Sequence, residues 1–301
     1  MSLSPPLAPP TAPTGRWAKL WRGSSARGFS WPVSLLLLTP VLALMTTFFL
    51  LPIIGLLKES VFAPEFTLRS YARVIEESLY VRVMLRTLWI SFVVSIATLL
   101  LGYPVAMLMA RMKGIWAVAV AACVLVPLWT SVLIRSYAWI VLLQRKGIVN
   151  DWLQALGIIE SPLKMLYTEG AVMMAMTHVL LPFVILPIYG ALKSIPADLT
   201  LAARNLGAGR WRSFWLVTLP LSLPGIYAGV LMTFILAIGF YVTPALIGGP
   251  QTLFIATLIG QQTTQVLDWS FAGALSAVLL VITLIIVTLF GRFLGLDRKV
   301  S

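Results

Sequence analysis

An all-α integral membrane protein with six transmembrane helices is the fold this sequence predicts, and three observations carry the prediction. Hydrophobic residues make up 59% of the 301-residue chain and charged residues only 11%, where soluble domains average about 45–50% and roughly 25%. Too few charges remain to clothe a water-facing surface, which excludes a cytosolic enzyme and a disordered scaffold. The charges that exist are spaced so that long uncharged runs lie between them. The net charge of +12 is also divided unevenly between the two sides that six crossings define.

The uncharged runs cover residues 28–57, 87–110, 114–134, 170–192, 213–267 and 269–291. Each holds the about 20 residues that a helix needs to cross hydrocarbon. The first is too long for the roughly 7–15-residue apolar core of a cleaved signal and has no small-residue cleavage site. Residues 1–30 read as a Pro/Ser-rich cytosolic tail and residues 31–301 as the membrane domain. The fifth run exceeds one crossing, but Gly248-Gly249-Pro250 interrupts it. Gln261-Gln262-Thr263-Thr264-Gln265 is a polar cluster that hydrocarbon would not hold unpaired. One crossing from about Gly225 to Ile247 is therefore expected, then a turn and a short surface helix. All six crossings are expected to be free of charged side chains.

Six crossings leave both termini on one side. That side gathers most of the basic residues, including Arg16, Arg22, Arg111, Lys193, Arg204 and Arg210, against only Asp198 and Asp297. The positive-inside rule makes it cytosolic, with both N and C termini there. On the outer side, Lys58 to Arg86 has Tyr71, Val74, Ile75 and Leu79 at near-helical spacing. Tyr137 to Leu156 has Trp139, Ile140, Leu143, Trp152 and Leu153 between its charges. Both read as amphipathic surface helices, with a partly buried connector as the alternative.

Residue counts exclude several chemistries. The single cysteine, Cys123, rules out an internal disulfide and a multi-thiolate metal site, and the single histidine, His178, rules out a His cluster. The sequence lacks a Gly-x-x-x-x-Gly-Lys-Ser/Thr phosphate loop, so ATP hydrolysis would have to come from a partner. The basic isoelectric point is accounted for by topology and implies no nucleic-acid partner; the bilayer is the expected environment.

The loop between the fourth and fifth crossings, residues 193–220, holds the most specific pattern. Pro196 and Asp198 are expected to start a short helix, with Asp198 as its cap. Ala202 and Ala203 keep it slim, and Gly207 ends it as a C-cap glycine. A second short helix from Arg210 to Leu219 is expected to line up Trp211, Phe214, Trp215 and Thr218 before Pro220 stops it. Two short helices meeting at Ala and Gly form a knob suited to a partner's groove; an ordinary juxtamembrane loop is the plainer alternative.

This loop resembles the signature of permease subunits of bacterial ATP-binding-cassette importers, Glu-Ala-Ala, three residues, Gly, and an apolar pattern ending in Leu-Pro. Ala202, Ala203, Gly207, Ala208, Phe214, Leu219 and Pro220 match it, while Leu201 stands where the family has glutamate. Pro127-Leu128-Trp129-Thr130-Ser131, Arg135 to Ile140, Gly147 to Asn150, Tyr241 to Gly249 and Asp268-Trp269 resemble the polyamine (spermidine/putrescine) branch. The resemblance implies a type I importer of the inner membrane. In it, two permeases, here of different chains, form the pore. Two cytosolic ATPases bind ATP–Mg and dock on the coupling loops, and an extracytoplasmic binding protein delivers the solute. No cofactor is expected in this chain. As the resemblance has it, the polyamine members carry acids where this chain has Gly239 to Gly249 without any.

For the solute path, Trp129, Trp139, Tyr241 and Trp269 are candidates for cation–π contact, with interfacial anchoring as the alternative. Thr243-Pro244 is expected to break the fifth crossing and free a carbonyl just beyond Tyr241. Asp268 is the nearby acid that could attract an amine at the entrance. The rival class is a secondary transporter, which would place ionisable groups at mid-membrane.

Overall fold

The computed structural model describes residues 31–62 and 65–293, so the expected tail over residues 1–30 lies outside the described residues. The chain divides into two units, Met1–Gly55 and Leu56–Ser301. The described part of the first is the apolar helix that forms most of α1 (Leu35–Glu59), with its side chains exposed. Among the described residues five helices are long and apolar enough to cross a membrane: α1, α3 (Ser78–Arg111), α7 (Glu169–Ser194), α9 (Arg210–Ile238) and α12 (Trp269–Arg292). The sixth is a broken pair, α4 (Ile115–Trp129) and the stretch Val132–Ala155, bent by 102°.

That bend corrects the straight third crossing expected over 114–134. Pro127 interrupts the hydrogen-bond ladder of α4, and the Thr130 hydroxyl donates to the Pro127 carbonyl at 2.8 Å, closing the helix end. The chain then turns into α5 (Val132–Leu143) and α6 (Ile148–Ala155). These were expected to float at the interface, but Ser136, Leu143 and Asn150 are buried, and Leu143 packs with Ile90, Val94 and Met176. The Asn150 side chain donates to the carbonyls of Gln144 and Leu163 and accepts from the Leu163 amide. The partly buried connector is therefore what forms.

The segment 58–86 also departs from one amphipathic helix. Only α2 (Arg69–Glu76) is short and amphipathic. From Ser78 the chain enters α3, whose 34 residues span about 51 Å at 1.5 Å per residue. The first turns of α3 carry Arg82 and Arg86, ahead of the charge-free stretch 87–110 expected as the crossing. Arg86 pairs with Glu169 at 3.0 Å and donates to the Gln251 carbonyl.

Helices α3, α7 and α9 form the centre. Close approach is set by small residues, as lipid-embedded bundles require. A Cβ placed on Gly225 of α9 would lie 2.5 Å from the Ala191 Cβ, and one on Gly102 of α3 would lie 2.6 Å from a Val184 methyl. Val184, Ile185 and Ile188 of α7 are buried between them. A second corner joins α2, α3 and α12. Arg73 pairs with Glu77 at 2.9 Å and with Asp268 at 3.6 Å, and its guanidinium lies 4.3 Å from the Phe271 ring centre. The hydrogen bond to Glu77, above all, holds the Arg73 pKa above its ordinary value.

Candidate functional site

The first site is the 193–220 loop. Helix α8 (Ala197–Asn205) starts after Pro196, which is its N-cap; Asp198 makes no capping bond and sits in the first turn, where its negative charge complements the positive end of the helix dipole. At the other end Gly207 adopts φ +85°, its amide donates to the Arg204 carbonyl, and the Ala208 amide donates to the Ala203 carbonyl, both at 2.9 Å. This left-handed closure is the C-cap read from the sequence. Leu201 and Ala202 are exposed, Ala203 and Ala208 half-buried, and Leu206 stands 89% exposed at the tip.

The second half of the loop is not a separate helix stopped by Pro220. Helix α9 begins at Arg210 and runs without a break to Ile238. A π-helical turn, Phe214–Thr218, precedes the proline, and the Leu219 amide reaches back five residues to the Phe214 carbonyl. That wider turn takes up the ring and the missing amide of Pro220, leaving Pro220 exposed inside a continuous helix. Phe214 anchors the turn, its ring edge-on to those of Tyr103 at 6.0 Å and Trp215 at 5.3 Å. Tyr103 shares a 3.1 Å hydrogen bond with Ser222. The knob is thus rigidly joined to a membrane-spanning rod.

The second site lies where the opposite end of α9 breaks. The break is Gly239–Tyr241, ahead of Thr243-Pro244, and α10 (Val242–Ile247) resumes beyond it. Pro244 therefore does not break the crossing. It sits in the first turn of α10, where a missing amide costs nothing. The buried Thr243 hydroxyl contacts the Ser136 hydroxyl of α5 at 3.0 Å. On α5, Arg135 Nη1 donates to the Val179 carbonyl at 3.5 Å, and its Nε is buried without a hydrogen-bond partner. Trp139 Nε1 donates to His178 Nδ1 at 3.3 Å. Two broken helices and α7 thus bring Arg135, Ser136, Trp139, His178 and Thr243 together.

Other residues proposed from the sequence are placed differently. Tyr241, 48% exposed, borders this cluster and lies against α11 (Ile255–Gln261): a Cβ on Gly260 would meet its ring at 2.7 Å. Trp129 is 83% exposed at the end of α4 with no ring contact among the described residues. Asp268 caps α12, accepting from the Phe271 amide at 3.0 Å, and faces Arg73. Arg135 and the Trp139–His178 pair were not singled out together by sequence reasoning. The available signal was a charged residue four positions beyond the Thr130-Ser131 helix stop. Among the described residues no group of His, Cys, Asp or Glu could hold a metal ion.

Irregular backbone at membrane depth is tolerated where it is buried in protein or lines a cavity, and discontinuous helices recur at the solute sites of transporters. The chain belongs to the family of binding-protein-dependent transport system inner membrane components, which matches residues 12–300. It is similar to the spermidine/putrescine transport system permease protein PotB of Haemophilus influenzae, 33% identical over 274 residues that cover 91% of this chain and 94% of that protein. PotB of Escherichia coli K12 is 33% identical over 234 residues, covering 78% and 85%. The fold matches a crystal structure of a bacterial ABC transporter involved in the import of the acidic polysaccharide alginate, with a TM-score of 0.70 at 21% identity over 95% of this chain and 99% of that one. The protein is a permease subunit of an ATP-binding-cassette importer in the inner membrane and works within a multi-subunit system.

Proposed function

We propose that this permease couples a cytosolic ATPase to an outward-facing solute path through α9, and that the solute is a polyamine of the spermidine/putrescine class. The observation that carries the coupling is the continuity of α9 from the knob at Arg210 to the break at Gly239. Leu201, Ala202, Ala203, Gly207, Ala208 and Phe214 form the docking face and its anchor, with Pro220 on the rod behind them. Two ATPases bind ATP–Mg, a second permease completes the pore, and an extracytoplasmic binding protein delivers the solute. Both termini are cytosolic.

The polyamine reading is supported by the PotB relatives and by the exposed ring of Tyr241 beside the break, a cation–π surface. Within the spans among the described residues, carboxylates occur only at the helix ends, Glu59 and Glu169, and at Asp151 in the bent pair. Arg135 adds a fixed positive charge at the cluster. An amine is therefore held weakly there and passed on, and selectivity resides in the binding protein. Putrescine uptake into vesicles containing the complete importer, with and without ATP inside, tests this. ATP-dependent uptake supports it. Uptake driven by an ion gradient without ATP assigns a secondary transporter, and ATP-dependent uptake of other solutes but not putrescine removes the polyamine.

A further inference from the structure

The coupling loop carries a cavity whose wall shares only the anchor Phe214 with the docking residues. A cleft of about 610 Å³ opens between the ends of α3 and α7, helix α8 and the start of α9. Arg111, Arg204 and Arg210 line it, with Thr200 and Ser213 beside them, and no Asp or Glu contributes to the wall. None of the three guanidinium groups makes an ion pair among the described residues. Three like charges sharing one cleft repel one another, and an anion among them relieves the repulsion while offering each a charge-assisted hydrogen bond. Part of the wall is apolar, formed by Met107, Leu192, Ile195 and Phe214. At the rim Trp211 is 75% exposed, and Trp215 and Leu216 continue an exposed apolar strip along α9. A soluble anion would use the arginines and leave this strip bare. A lipid uses both.

We infer that the cleft binds the phosphate headgroup of an anionic phospholipid, with Arg111, Arg204 and Arg210 on the phosphate and the acyl chains along Trp211, Trp215 and Leu216. Basic pockets between the cytoplasmic ends of membrane helices suit such headgroups. The bound lipid bridges α3 and α7 to the coupling helix and so stiffens the joint between knob and rod. The proposal rests on the permease reading only for the position of the loop at the membrane face, and its readout does not depend on transport.

The test is native mass spectrometry of the assembled importer, taken from nanodiscs of equal parts phosphatidylglycerol and phosphatidylcholine. The wild type is expected to retain phosphatidylglycerol preferentially. The combined variant Arg111→Gln, Arg204→Gln, Arg210→Gln should lose that preference, by about fivefold for each arginine removed. A charge-matched control, Arg82→Gln, Arg145→Gln, Lys146→Gln, should keep it, and the three Arg→Lys replacements should restore most of it. Should the combined variant not assemble, Arg204→Gln alone is expected to give the single fivefold step. No preference in the wild-type complex, or equal preference in the Gln variants, would overturn the proposal. Complete displacement of the lipid by inorganic phosphate would assign the cleft to a soluble anion instead. Retention by the permease alone but not by the assembled importer would assign it to the ATPase.

Discussion

The two ends of α9 meet the same problem and solve it in opposite ways. At the Arg210 end a proline, Pro220, stands inside the helix, yet the helix continues because the π turn at Phe214–Thr218 absorbs the missing amide. At the other end the helix stops at Ile238 with no proline at the break, and the nearby Pro244 sits harmlessly in the first turn of α10. Proline alone does not decide where a membrane helix breaks. At Pro220 a widened turn keeps the ladder running, whereas at the break Gly239 and Phe240 donate back to Ile235 and Ala237 and the ladder closes. The Arg210 end is thereby stiff, joined to its knob, and the Ile238 end is jointed, beside the Arg135–Thr243 cluster. A stiff input and a jointed output are what a lever needs.

The comparison breaks most completely if the rod itself is dislodged. Gly225→Leu would force a side chain into the space where even a Cβ lies 2.5 Å from Ala191. Overpacking of this kind costs about 1–3 kcal/mol or more, and no assembled permease should be recovered by size-exclusion chromatography. Gly209→Ala, where nothing lies within 4 Å, should assemble like the wild type.

Tyr241→Ala alters only the jointed end. Uptake should fall several-fold while basal ATP hydrolysis and assembly stay unchanged; unchanged uptake at equal permease levels would make Tyr241 a packing residue. The smallest effect is expected at Asp268, which touches neither end of α9. Asp268→Ala removes the cap of α12 and the partner of Arg73. A lost cap costs about 1 kcal/mol, so thermal unfolding should come slightly earlier. Asp268→Asn, which keeps the capping oxygen, should lose less. If Asp268→Asn also slows uptake of a dication but not of a neutral solute, Asp268 guides the solute as well.

The helical membrane fold was legible in the sequence because hydrocarbon demands long uncharged runs, and the Gly207 turn because a left-handed C-cap calls for glycine. Helix boundaries were less legible. The first turns of α3 hide behind Arg82 and Arg86, whose charges read as a loop although the first hydrogen-bonds back to Ser78 and the second is paired with Glu169. The break falls at Gly239–Tyr241 and not at Thr243-Pro244: a proline is visible locally, whereas the contacts beside a break, such as Thr243 with Ser136, come from distant parts of the chain. The buried path of α5 escaped notice for the same reason. Its polar face, Arg135 and Ser136, meets Val179 and Thr243 only in the folded bundle.

Sidedness can be checked directly in a Cys123→Ser background. A cysteine replacing the exposed Leu206 should react with a membrane-impermeant thiol reagent only after cells are opened, and one replacing Ser161 should react once the outer barrier alone is permeabilised. Labelling of the Leu206 position from outside would reverse the orientation.

The most direct test of the lever is solute-stimulated ATP hydrolysis by the reconstituted importer carrying Gly207→Val. At φ +85° a β-branched residue is strained by about 1–2 kcal/mol, and open space around the glycine means that nothing else is disturbed. The permease should insert at its normal level, and stimulation of ATP hydrolysis by the solute-loaded binding protein should be lost. Full stimulation in that variant would contradict the assignment of the loop as the coupling element and leave it a connector.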